Sequence, residues 1–529
     1  MNDRDFTNEL TYHSHDVSND IERFHTAYES ALENVRASLG GPYPCRIAGE
    51  PVSTDETFTG TSPGDHSLTI GSFAAAGSDE VDAAVDAATD AAPTWASIHW
   101  LDRVEVLESA ADEMADRKFA LAARITLENG KTRREAIADV DEAIDFLRYY
   151  ASELARHDGY QFDTGEPLPG EHCRSVLRPY GVFGVIAPFN FPLAILTGMT
   201  AGAIGAGNTA VVKPAEATPS IAHAFMDILE AAGIPDGVVN LVTGDGSSVG
   251  APLVDHPDVD GIVFTGSRAV GVGIQERFLE LGKRGPVIAE LGGKNPVIVT
   301  ESADLEKAVA GVRYGAFGFS GQKCSATSRV YVHENVFEEF LEALVRTSEA
   351  IPDHPPTHRD AVLSPIIDDQ ALERYHDICE TAASVGTVHT GGGVASDPSL
   401  PDGRYVRPTV VTGVPHEHDL ARDEHFLPFV TLHSVSDLDT AIERANDSEF
   451  GLCAGLFAED DDEIETWFDR IESGMTYVNR ANSATTGALV GAQPFGGWKF
   501  SGTTGFFAGG RWYLPQFMRQ QSQTRVTRS

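Results

Sequence analysis

Cysteine is scarce in this sequence, and its cysteines follow no pairing pattern. The five are widely spaced, without a CxxC motif: Cys45, Cys173, Cys324, Cys379 and Cys453. An odd number at such spacing argues against a disulfide framework and against a cysteine-rich zinc site, because both need paired or clustered thiols. We therefore expect a reducing compartment, the cytoplasm, and consider one cysteine a candidate nucleophile.

Long apolar runs are also missing. No stretch of about 20 apolar residues occurs, as a membrane-spanning helix would require. The first 20 residues are polar and acidic, without the basic-then-apolar order of a secretion signal. The sequence thus predicts no membrane partner.

Basic residues are few, and lysine is scarcer than arginine. Lys and Arg total 39 against 79 Asp and Glu, a formal net charge of −40. Nucleic acid and anionic membranes would be repelled, so neither is expected as a partner. The carboxylates are spread along the chain, and runs such as residues 459–463 resemble solvated helix starts. Because halophiles use such surfaces, we hypothesise a high-salt cytoplasm.

The length of 529 residues exceeds what one core usually fills, about 250–300 residues, so two or more domains are expected. Apolar spacing predicts an amphipathic helix over residues 17–38 and a strand over 44–49. An Ala-rich helix is predicted over 79–97 with Ser78 as its N-cap. Residues 101–155 are predicted to be almost continuously helical.

From Val176 onward, short apolar runs alternate with helical stretches, which is typical of a parallel sheet buried on both faces. The first series of strands is predicted at 181–187, 209–212, 237–243 and 261–264. A second series is predicted to start at Pro286 and to include 295–299, 329–333, 361–363, 410–411, 429–432, 454–457 and 477–479. The pattern predicts two α/β domains in tandem. Residues 480–529 look like a loop followed by an arm that packs elsewhere, for example on another subunit.

Two segments hold candidates for covalent chemistry. Cys324 follows a Gly-containing turn at residues 318–323 and precedes a strand, where backbone donors would lower the pKa of its thiol. Glu290 ends an apolar strand, and a buried Glu there is a candidate general base of raised pKa. Taken singly, each has a structural interpretation: a small buried hydrophobe for the Cys, a salt-bridged residue for the Glu.

Three further segments follow predicted strands. The Asn190 amide, at the carboxyl end of a strand, is placed to donate to a developing oxyanion, although a turn Asn is the simpler interpretation. Lys213 and Glu216 are candidates for binding ribose hydroxyls, and the Glu216 carboxylate would repel a 2′-phosphate, which favours NAD over NADP. Residues 264–271 place Gly and Ser at a helix N-terminus, where amides bind a pyrophosphate.

Together and in this order, these segments resemble the aldehyde dehydrogenase superfamily from about residue 43 to 518. The matching segments are the one around Asn190, 213–216, 264–271, 290–295, 321–324, 423–428 and 494–497. The resemblance implies that Cys324 attacks the aldehyde, that Asn190 and the Cys324 amide hold the oxyanion, and that Glu290 activates water. It implies cofactor contacts for a set of seven residues: Lys213, Glu216, Gly266, Ser267, Gly271, Glu424 and Phe426.

The resemblance also implies the fold: an α/β protein with a Rossmann-like NAD domain, an α/β catalytic domain and a β-flap that mediates homo-oligomerisation. The boundaries that we predict are an N-terminal helix and first part of the NAD domain at 1–155, and its second part at 174–288. The catalytic domain is predicted at 289–481, and the flap at 156–173 and 482–529. A homodimer or higher oligomer is expected.

Two features resemble the 1-pyrroline-5-carboxylate (glutamate γ-semialdehyde) dehydrogenase branch: the N-terminal helix with residues 43–44, and the pairing of 321–326 with 486–490. By this resemblance, Ser325 and the amides of Gly487 and Ala488 hold the substrate's α-carboxylate, and Phe191 and Phe495 flank its aliphatic chain. Three features depart from the branch pattern. They are Leu427 where the family usually has Gly, residues 506–512, and Ala488 where some members have Ser.

Other interpretations stay open from sequence. The chain could act on another small or carboxylate-bearing aldehyde. A CoA-acylating enzyme is disfavoured because Glu290 remains to drive hydrolysis, and a non-catalytic NAD-binding protein because both Cys324 and Glu290 are present. The segment 416–419, with Asp423 and His425, could suggest a metal, but it lacks helical His spacing and is interpreted as solvated surface.

Overall fold

The computed structural model describes residues 10–18, 20–481 and 489–527. The helices are α1 Leu10–Val17, α2 Ile21–Ser38, α3 Ser78–Ser97, α4 Trp100–Asp116, α5 Lys118–Asn129, α6 Arg133–Arg156, α7 Ala194–Gly205, α8 Pro219–Ala231, α9 Ala251–Asp255, α10 Arg268–Glu280, α11 Leu305–Phe317, α12 Phe337–Glu349, α13 Asp369–Val385, α14 Asp419–Arg422, α15 Leu438–Asn446 and α16 Asp461–Arg470.

The strands are β1 Pro42–Tyr43, β2 Cys45–Ile47, β3 Glu50–Val52, β4 Thr57–Ser62, β5 Asp65–Ala74, β6 Gln161–Gly165, β7 Glu171–Pro179, β8 Val182–Ile186, β9 Thr209–Lys213, β10 Val239–Leu241, β11 Gly261–Thr265, β12 Val287–Glu290, β13 Asn295–Val299, β14 Thr327–His333, β15 Thr387–Thr390, β16 Thr409–Thr412, β17 Phe429–Val435, β18 Phe450–Gly451, β19 Cys453–Phe457, β20 Met475–Val478, β21 Trp498–Lys499 and β22 Met518–Val526.

Two seven-stranded sheets confirm the predicted pair of α/β units. The first has the order β12-β11-β8-β9-β10-β2-β3, and the second β15-β16-β17-β14-β13-β19-β20. The first sheet is parallel from β12 to β10, and the second from β16 to β20. Alternate residues of the first sheet enter two different cores, with α4, α6, α7 and α8 on one face and α3, α9 and α10 on the other.

Several sequence-based boundaries need correction. The helix predicted over 17–38 is α2, which begins later, at Ile21, and a further helix, α1, precedes it at Leu10–Val17. The stretch 101–155 is almost continuously helical, as predicted, over α4, α5 and α6. Helix α3 includes Ser78, and its N-cap is Gly77, whose N–H donates to Glu80 Oε2 at 2.8 Å. The strand after Pro286 is β12, which pairs with β11 and so belongs to the first sheet.

One predicted strand is absent, and several strands were not predicted. Residues 361–363 form no strand; their apolar character reflects Leu363, which is buried in the core of the second sheet. The unpredicted strands include the β4–β5 hairpin and the edge strand β15. Short apolar runs indicate burial more directly than they indicate strand pairing.

A separate three-stranded antiparallel sheet joins distant parts of the chain. Its order is β22-β7-β6, and β22 pairs with β7 over nine residue positions from Met518↔Pro179 to Val526↔Glu171. The predicted arm thus folds back onto the strands that follow α6. No helix among the described residues is long and apolar enough to cross a membrane.

The eight lysines divide into two groups by location. Lys131, Lys213, Lys294 and Lys323 are buried. Lys118, Lys283, Lys307 and Lys499 are at least partly exposed. Since a buried lysine is unusual, the first group needs a local explanation, and all four of its members lie in or beside the site described next.

Candidate active site

The turn before Cys324 is held in a conformation that few sequences tolerate. Phe319, Ser320 and Gly321 have φ angles of 50°, 52° and 68°. A Cβ on Gly321 would lie 2.3 Å from the Leu427 carbonyl oxygen, so glycine is required there.

Side-chain hydrogen bonds fix this turn to the segment that precedes α13. Ser320 Oγ donates to the Ser364 carbonyl at 2.5 Å. Gln322 Nε2 donates to the Pro365 carbonyl at 3.0 Å, and its Oε1 accepts from Ile367 N–H, also at 3.0 Å. The turn is therefore anchored through residues that take no part in the chemistry.

Cys324 is 9% exposed and packs in a small cluster with Leu452, Cys453, Met475 and Tyr477. Phe426 and Phe495 lie against the same cluster, so the structure brings these two predicted residues to the thiol. Ser325, the next residue, is buried as well.

The pKa of the Cys324 thiol is raised well above its usual range. Burial is the main cause, and Glu424 and Glu290 add to it, while the N–H groups of Ser325 and Cys324 lower the pKa. The expected backbone donors are present, but burial and two carboxylates outweigh them. The expected lowering by backbone donors is therefore present, while the net pKa of the thiol is raised.

Glu290 is the last residue of β12. Burial raises the pKa of its carboxyl to about 8, and the Ala508 N–H partly offsets that shift. No cation contributes to this shift among the described residues. The salt-bridge interpretation of Glu290 is thus unsupported, whereas a raised pKa is what a general base near neutral pH needs.

Asn190 lies in the loop from β8 to α7 and is 2% exposed. Its Oδ1 is buried without a hydrogen-bond partner in the described part of the chain. Asn129 Nδ2 donates to the Phe189 carbonyl at 2.7 Å and so fixes the same loop. A buried amide oxygen without a partner is uncommon and needs an explanation.

The carboxyl ends of four adjacent strands meet at one edge of the first sheet. Thr265 pairs with Glu290, and Ile186 pairs with both Phe264 and Lys213. In open α/β sheets this edge is where ligands bind. The predicted cofactor residues between 213 and 271 and the Asn190 loop therefore share one edge with Glu290.

The cofactor residues on this edge are locally well defined. Lys213 ends β9 and is buried, and its Nζ donates to the Pro214 carbonyl at 3.1 Å; Glu216, three residues on, is exposed. Ser267 is the N-cap of α10, its Oγ accepting from Val270 N–H at 3.4 Å. A Cβ on Gly266 would meet the Phe264 ring at 2.5 Å, and one on Gly271 would meet Leu291 at 2.2 Å, so both glycines allow close packing.

Glu424 joins the second sheet's loops to the segment after Glu290. Its Oε1 accepts from Gly293 N–H at 2.9 Å, and burial raises the pKa of its carboxyl to about 7. A Cβ on Gly292 would lie 2.1 Å from Glu424 Oε2, which explains that glycine. Phe426 has φ of 60° and packs edge-on against Phe189, so it too faces the Asn190 loop.

Comparison with known proteins identifies the family. The model of the aldehyde dehydrogenase family matches residues 52–523. The chain belongs to the aldehyde dehydrogenase family. It is 38% identical over 515 residues to 1-pyrroline-5-carboxylate dehydrogenase 1 of Halalkalibacterium halodurans, covering 96% of this chain and 97% of that one.

Further relatives of this aldehyde dehydrogenase carry the same name. A 1-pyrroline-5-carboxylate dehydrogenase of Bacillus pumilus is 39% identical over 505 residues, with 94% of this chain and 95% of that one covered. The crystal structure of 1-pyrroline-5-carboxylate dehydrogenase from Thermus with bound NAD has a TM-score of 0.90 and 37% identity. It covers 95% of this chain and 96% of that one. The predicted fold is thereby confirmed.

Two of the departures from the family pattern have a structural explanation. Leu427 does not need the conformational freedom of glycine, because its φ is not positive, and its side chain is buried in the same cluster as Phe429. In residues 506–512, the Phe507 ring covers Gly496, while Phe506 and Trp512 stay about half exposed. The third departure, Ala488, lies outside the described residues, as does Gly487.

The cysteine and histidine patterns have structural explanations in this aldehyde dehydrogenase. All five cysteines are free. His416 Nε2 lies 3.2 Å from Asp447 Oδ2, and His418 caps α14 by accepting from Leu420 N–H. No group of three or more His, Cys, Asp or Glu side chains suited to a metal ion occurs among the described residues.

Sequence reasoning missed residues that hold the site in place. Asn295 lies in a segment that was singled out, yet no role was assigned to it; its Nδ2 donates to the Cys324 carbonyl at 2.8 Å. Lys323 Nζ lies 2.8 Å from Glu135 Oε2 on α6, and both side chains are buried. The available signal was a pair of acidic residues, Glu135 and Asp139, four positions apart among the apolar residues of α6.

Proposed function

We propose that this aldehyde dehydrogenase oxidises L-glutamate γ-semialdehyde, the open form of 1-pyrroline-5-carboxylate, to L-glutamate with NAD, a reaction of proline catabolism. One observation supports it above all: the buried Cys324 thiol lies close enough to Glu290 for that carboxyl to raise its pKa, in a chain that resembles 1-pyrroline-5-carboxylate dehydrogenases over nearly its whole length. Phe426, which packs against the Cys324 cluster, also contacts Phe189 of the Asn190 loop. The substrate is a small aldehyde that also bears a carboxylate and an ammonium group.

In the first step the Cys324 Sγ attacks the aldehyde carbon. The thiol proton passes to the Glu290 carboxylate, whose raised pKa of about 8 makes it a capable acceptor. The C=O electron pair moves to oxygen, and the resulting oxyanion accepts hydrogen bonds from the Asn190 side-chain amide and the Cys324 N–H. The product of this step is a thiohemiacetal.

The residues on the sheet edge fit NAD. Lys213 and Glu216 would hold ribose hydroxyls, Gly266, Ser267 and the start of α10 would hold the pyrophosphate, and Glu424 and Phe426 would position the nicotinamide ribose and ring. When bound, NAD supplies the acceptor for the hydride that leaves the thiohemiacetal carbon. The exposed Glu216 carboxylate disfavours the 2′-phosphate of NADP.

Hydrolysis of the thioester again uses Glu290. After its first proton has left to solvent, the carboxylate takes a proton from a water molecule whose oxygen attacks the thioester carbon. The C–S bond breaks, Cys324 leaves as the thiolate and regains its proton, and glutamate is released. Glu290 therefore acts as a base twice in each turnover, once on the thiol and once on water.

Recognition of the substrate's α-carboxylate is proposed to rest on Ser325, Gly487 and Ala488. Ser325 adjoins the nucleophile and is buried, and exposed loop amides are good carboxylate ligands. Phe191 and Phe495 would flank the aliphatic chain between the two ends of the substrate.

The test is NADH production by the purified protein in high salt. Turnover of 1-pyrroline-5-carboxylate is compared with that of succinate semialdehyde and of simple aliphatic aldehydes, with Cys324→Ala as the inactive control and Cys379→Ala as a matched cysteine control. We expect kcat/KM for the pyrroline substrate at least about tenfold above the others, which corresponds to about 1.4 kcal/mol of transition-state binding. Ser325→Ala should raise KM for this substrate and leave KM for propanal unchanged.

Equal or better turnover of the simple aldehydes would favour the alternative, an aldehyde dehydrogenase for another small or carboxylate-bearing substrate. A folded protein that binds NAD yet oxidises no aldehyde would favour the alternative of another class, a non-catalytic NAD-binding protein. The presence of both Cys324 and Glu290 argues for catalysis.

We further propose the organisation and setting in which the enzyme works. Residues 1–155 and 174–288 form the NAD-binding domain, 289–481 the catalytic domain, and 156–173 with 482–529 a flap. The β22-β7-β6 sheet would pair with a second copy of the chain in a homodimer or larger oligomer. The acidic surface would suit a high-salt cytoplasm, and sedimentation of the purified protein in low and high salt tests both ideas.

A further inference from the structure

Lys131 is a fully buried cation near the site, and the proposed chemistry does not use it. It lies between α5 and α6, directly after Gly130. Its Nζ donates to Asp139 Oδ2 at 2.8 Å, and Asp139 is fully buried too. Replacing such a pair with apolar residues often costs nothing, so its presence calls for a reason other than stability.

Asp139 connects this pair to the Asn190 loop. Its Oδ1 accepts from the N–H of Ala194 at 2.7 Å, and Leu193 N–H also donates to it. Both amides lie at the start of α7, within four residues of Asn190. The carboxylate therefore fixes where the loop ends and the helix begins.

Lys131 itself contacts two aromatic rings from two different loops. Its Nζ lies 3.5 Å from the centroid of the Phe191 ring and 5.1 Å from that of Phe319. Phe191 directly follows Asn190, and Phe319 lies in the left-handed turn before Cys324. A cation at these distances is attracted to both ring faces, and more strongly in a desolvated site.

We propose that the Lys131–Asp139 pair is a positioning device that sets the Asn190 amide relative to Cys324. Asp139 fixes the α7 end of the oxyanion loop, and Lys131 joins that loop, through Phe191, to the nucleophile turn, through Phe319. An oxyanion donor works only when it is aimed at the position where charge develops, so a small displacement has a large effect on rate. The inference rests on the proposed function and adds two positioning residues to it.

The test is a double-mutant cycle with Asn190. Lys131→Met should lower kcat about 10–100-fold at saturating NAD and aldehyde, with KM for NAD within about twofold of the parent value. In an Asn190→Ala background the same substitution should lower kcat by less than about threefold, because the group that it positions is already absent. Lys131→Arg, which keeps a cation against Asp139, should recover most of the loss.

Arg103→Met is the matched control. Arg103 is buried, and its Nε donates to the Gly205 carbonyl at 3.1 Å, at the opposite end of α7. It should lower thermal stability as Lys131→Met does and leave kcat within about twofold of the parent. If Lys131→Met does not fold, the charge-neutral pair Lys131→Met with Asp139→Asn replaces it in the cycle.

The outcomes separate the two proposals. Equal losses of kcat from Lys131→Met in both backgrounds, or the same loss from Arg103→Met, would overturn the positioning role. Unchanged kcat in Asn190→Ala alone would instead remove Asn190 from the proposed mechanism, and with it the positioning role.

Discussion

The Asn295 side-chain amide binds the backbone at the nucleophile and two residues after it. Its Nδ2 donates to the Cys324 carbonyl and to the Ala326 carbonyl, each at 2.8 Å, and its Oδ1 accepts from Cys453 N–H at 3.0 Å. One buried side chain thus ties the Cys324 turn to β19. A single substitution of Asn295 would therefore remove three hydrogen bonds that hold the backbone beside the Cys324 thiol.

Asn295→Ala should lower kcat about 10–100-fold, because Cys324 loses the bonds that orient it. Unfolding should become easier by roughly 1–3 kcal/mol, since three backbone groups lose their partner. Asn240→Ala is the matched control: Asn240 is buried in β10, donates to the Gly237 carbonyl and accepts from Ala48 N–H. Equal losses of kcat in both variants, measured by NADH absorbance, would contradict a specific role for Asn295.

The pH dependence of turnover should follow Glu290. Its carboxyl titrates at about 8, so the base form grows as pH rises, and deacylation should increase up to a plateau above about pH 8. Glu290→Gln should slow the first equivalent of NADH, because the thiol loses its base, and should lower steady-state turnover about 10²–10⁴-fold, because water loses its base as well. Stopped-flow absorbance measures both the burst and the steady rate. A wild-type profile that is flat between pH 6 and about 9 would exclude this assignment.

The raised pKa of Glu290 also makes the free energy of unfolding depend on pH. The unfolded carboxyl releases its proton near its ordinary pKa of 4.5, while the folded one keeps it up to about 8. Over this interval the folded state binds more protons, so stability falls as pH rises. Glu290→Gln should weaken that fall in urea unfolding curves. Glu128→Gln, which alters a buried cap of α8, should leave the pH profile of kcat unchanged.

Glu216 should set the choice of cofactor. Glu216→Ala removes an exposed carboxylate close to Lys213, and the preference for NAD over NADP, taken as the ratio of kcat/KM values, should fall about tenfold or more. Most of the change should appear as a lower KM for NADP, since the repulsion acts on binding. Glu230→Ala, which removes an exposed carboxylate from α8, serves as the control. An unaltered ratio of kcat/KM values would mean that residues other than Glu216 determine the choice between NAD and NADP.

Salt should stabilise the fold. With a net charge of −40, screening of mutual repulsion should raise the melting temperature by roughly 10 °C or more between about 0.1 M and about 3 M KCl. Melting temperatures are measured by calorimetry in KCl and in sucrose of equal osmolality. Both solutes are excluded from the protein surface, but only KCl screens the charge repulsion. Full stability in dilute buffer would argue against the high-salt hypothesis.

The sheets were predictable where apolar runs were buried on both faces, as in β8, β9, β11 and β13. The strand after Pro286 was assigned to the wrong sheet, because an apolar run does not reveal which neighbour it pairs with. The β4–β5 hairpin was missed because β4 is polar and mostly exposed, and β5 is polar at its start and buried only toward its end.

For the site, the residues that react were predictable because their types suit the chemistry: a thiol, a carboxyl and an amide beside predicted strands. The residues that position them were not. Lys131 and Asp139 are distant in sequence from the loops that they contact, and only the folded chain brings them together. Asn295 was missed for the same reason, since its partners lie just before β14 and on β19.

The division of the lysines has a practical consequence for chemical modification. Amine-reactive reagents meet lysine side chains at Lys118, Lys283, Lys307 and Lys499, whereas the other four are buried at the site. Coupling to a dye or a solid support through lysine would therefore attach the enzyme at a few defined points. The lysines that hold the nucleophile turn, the oxyanion loop and the cofactor edge would stay unmodified.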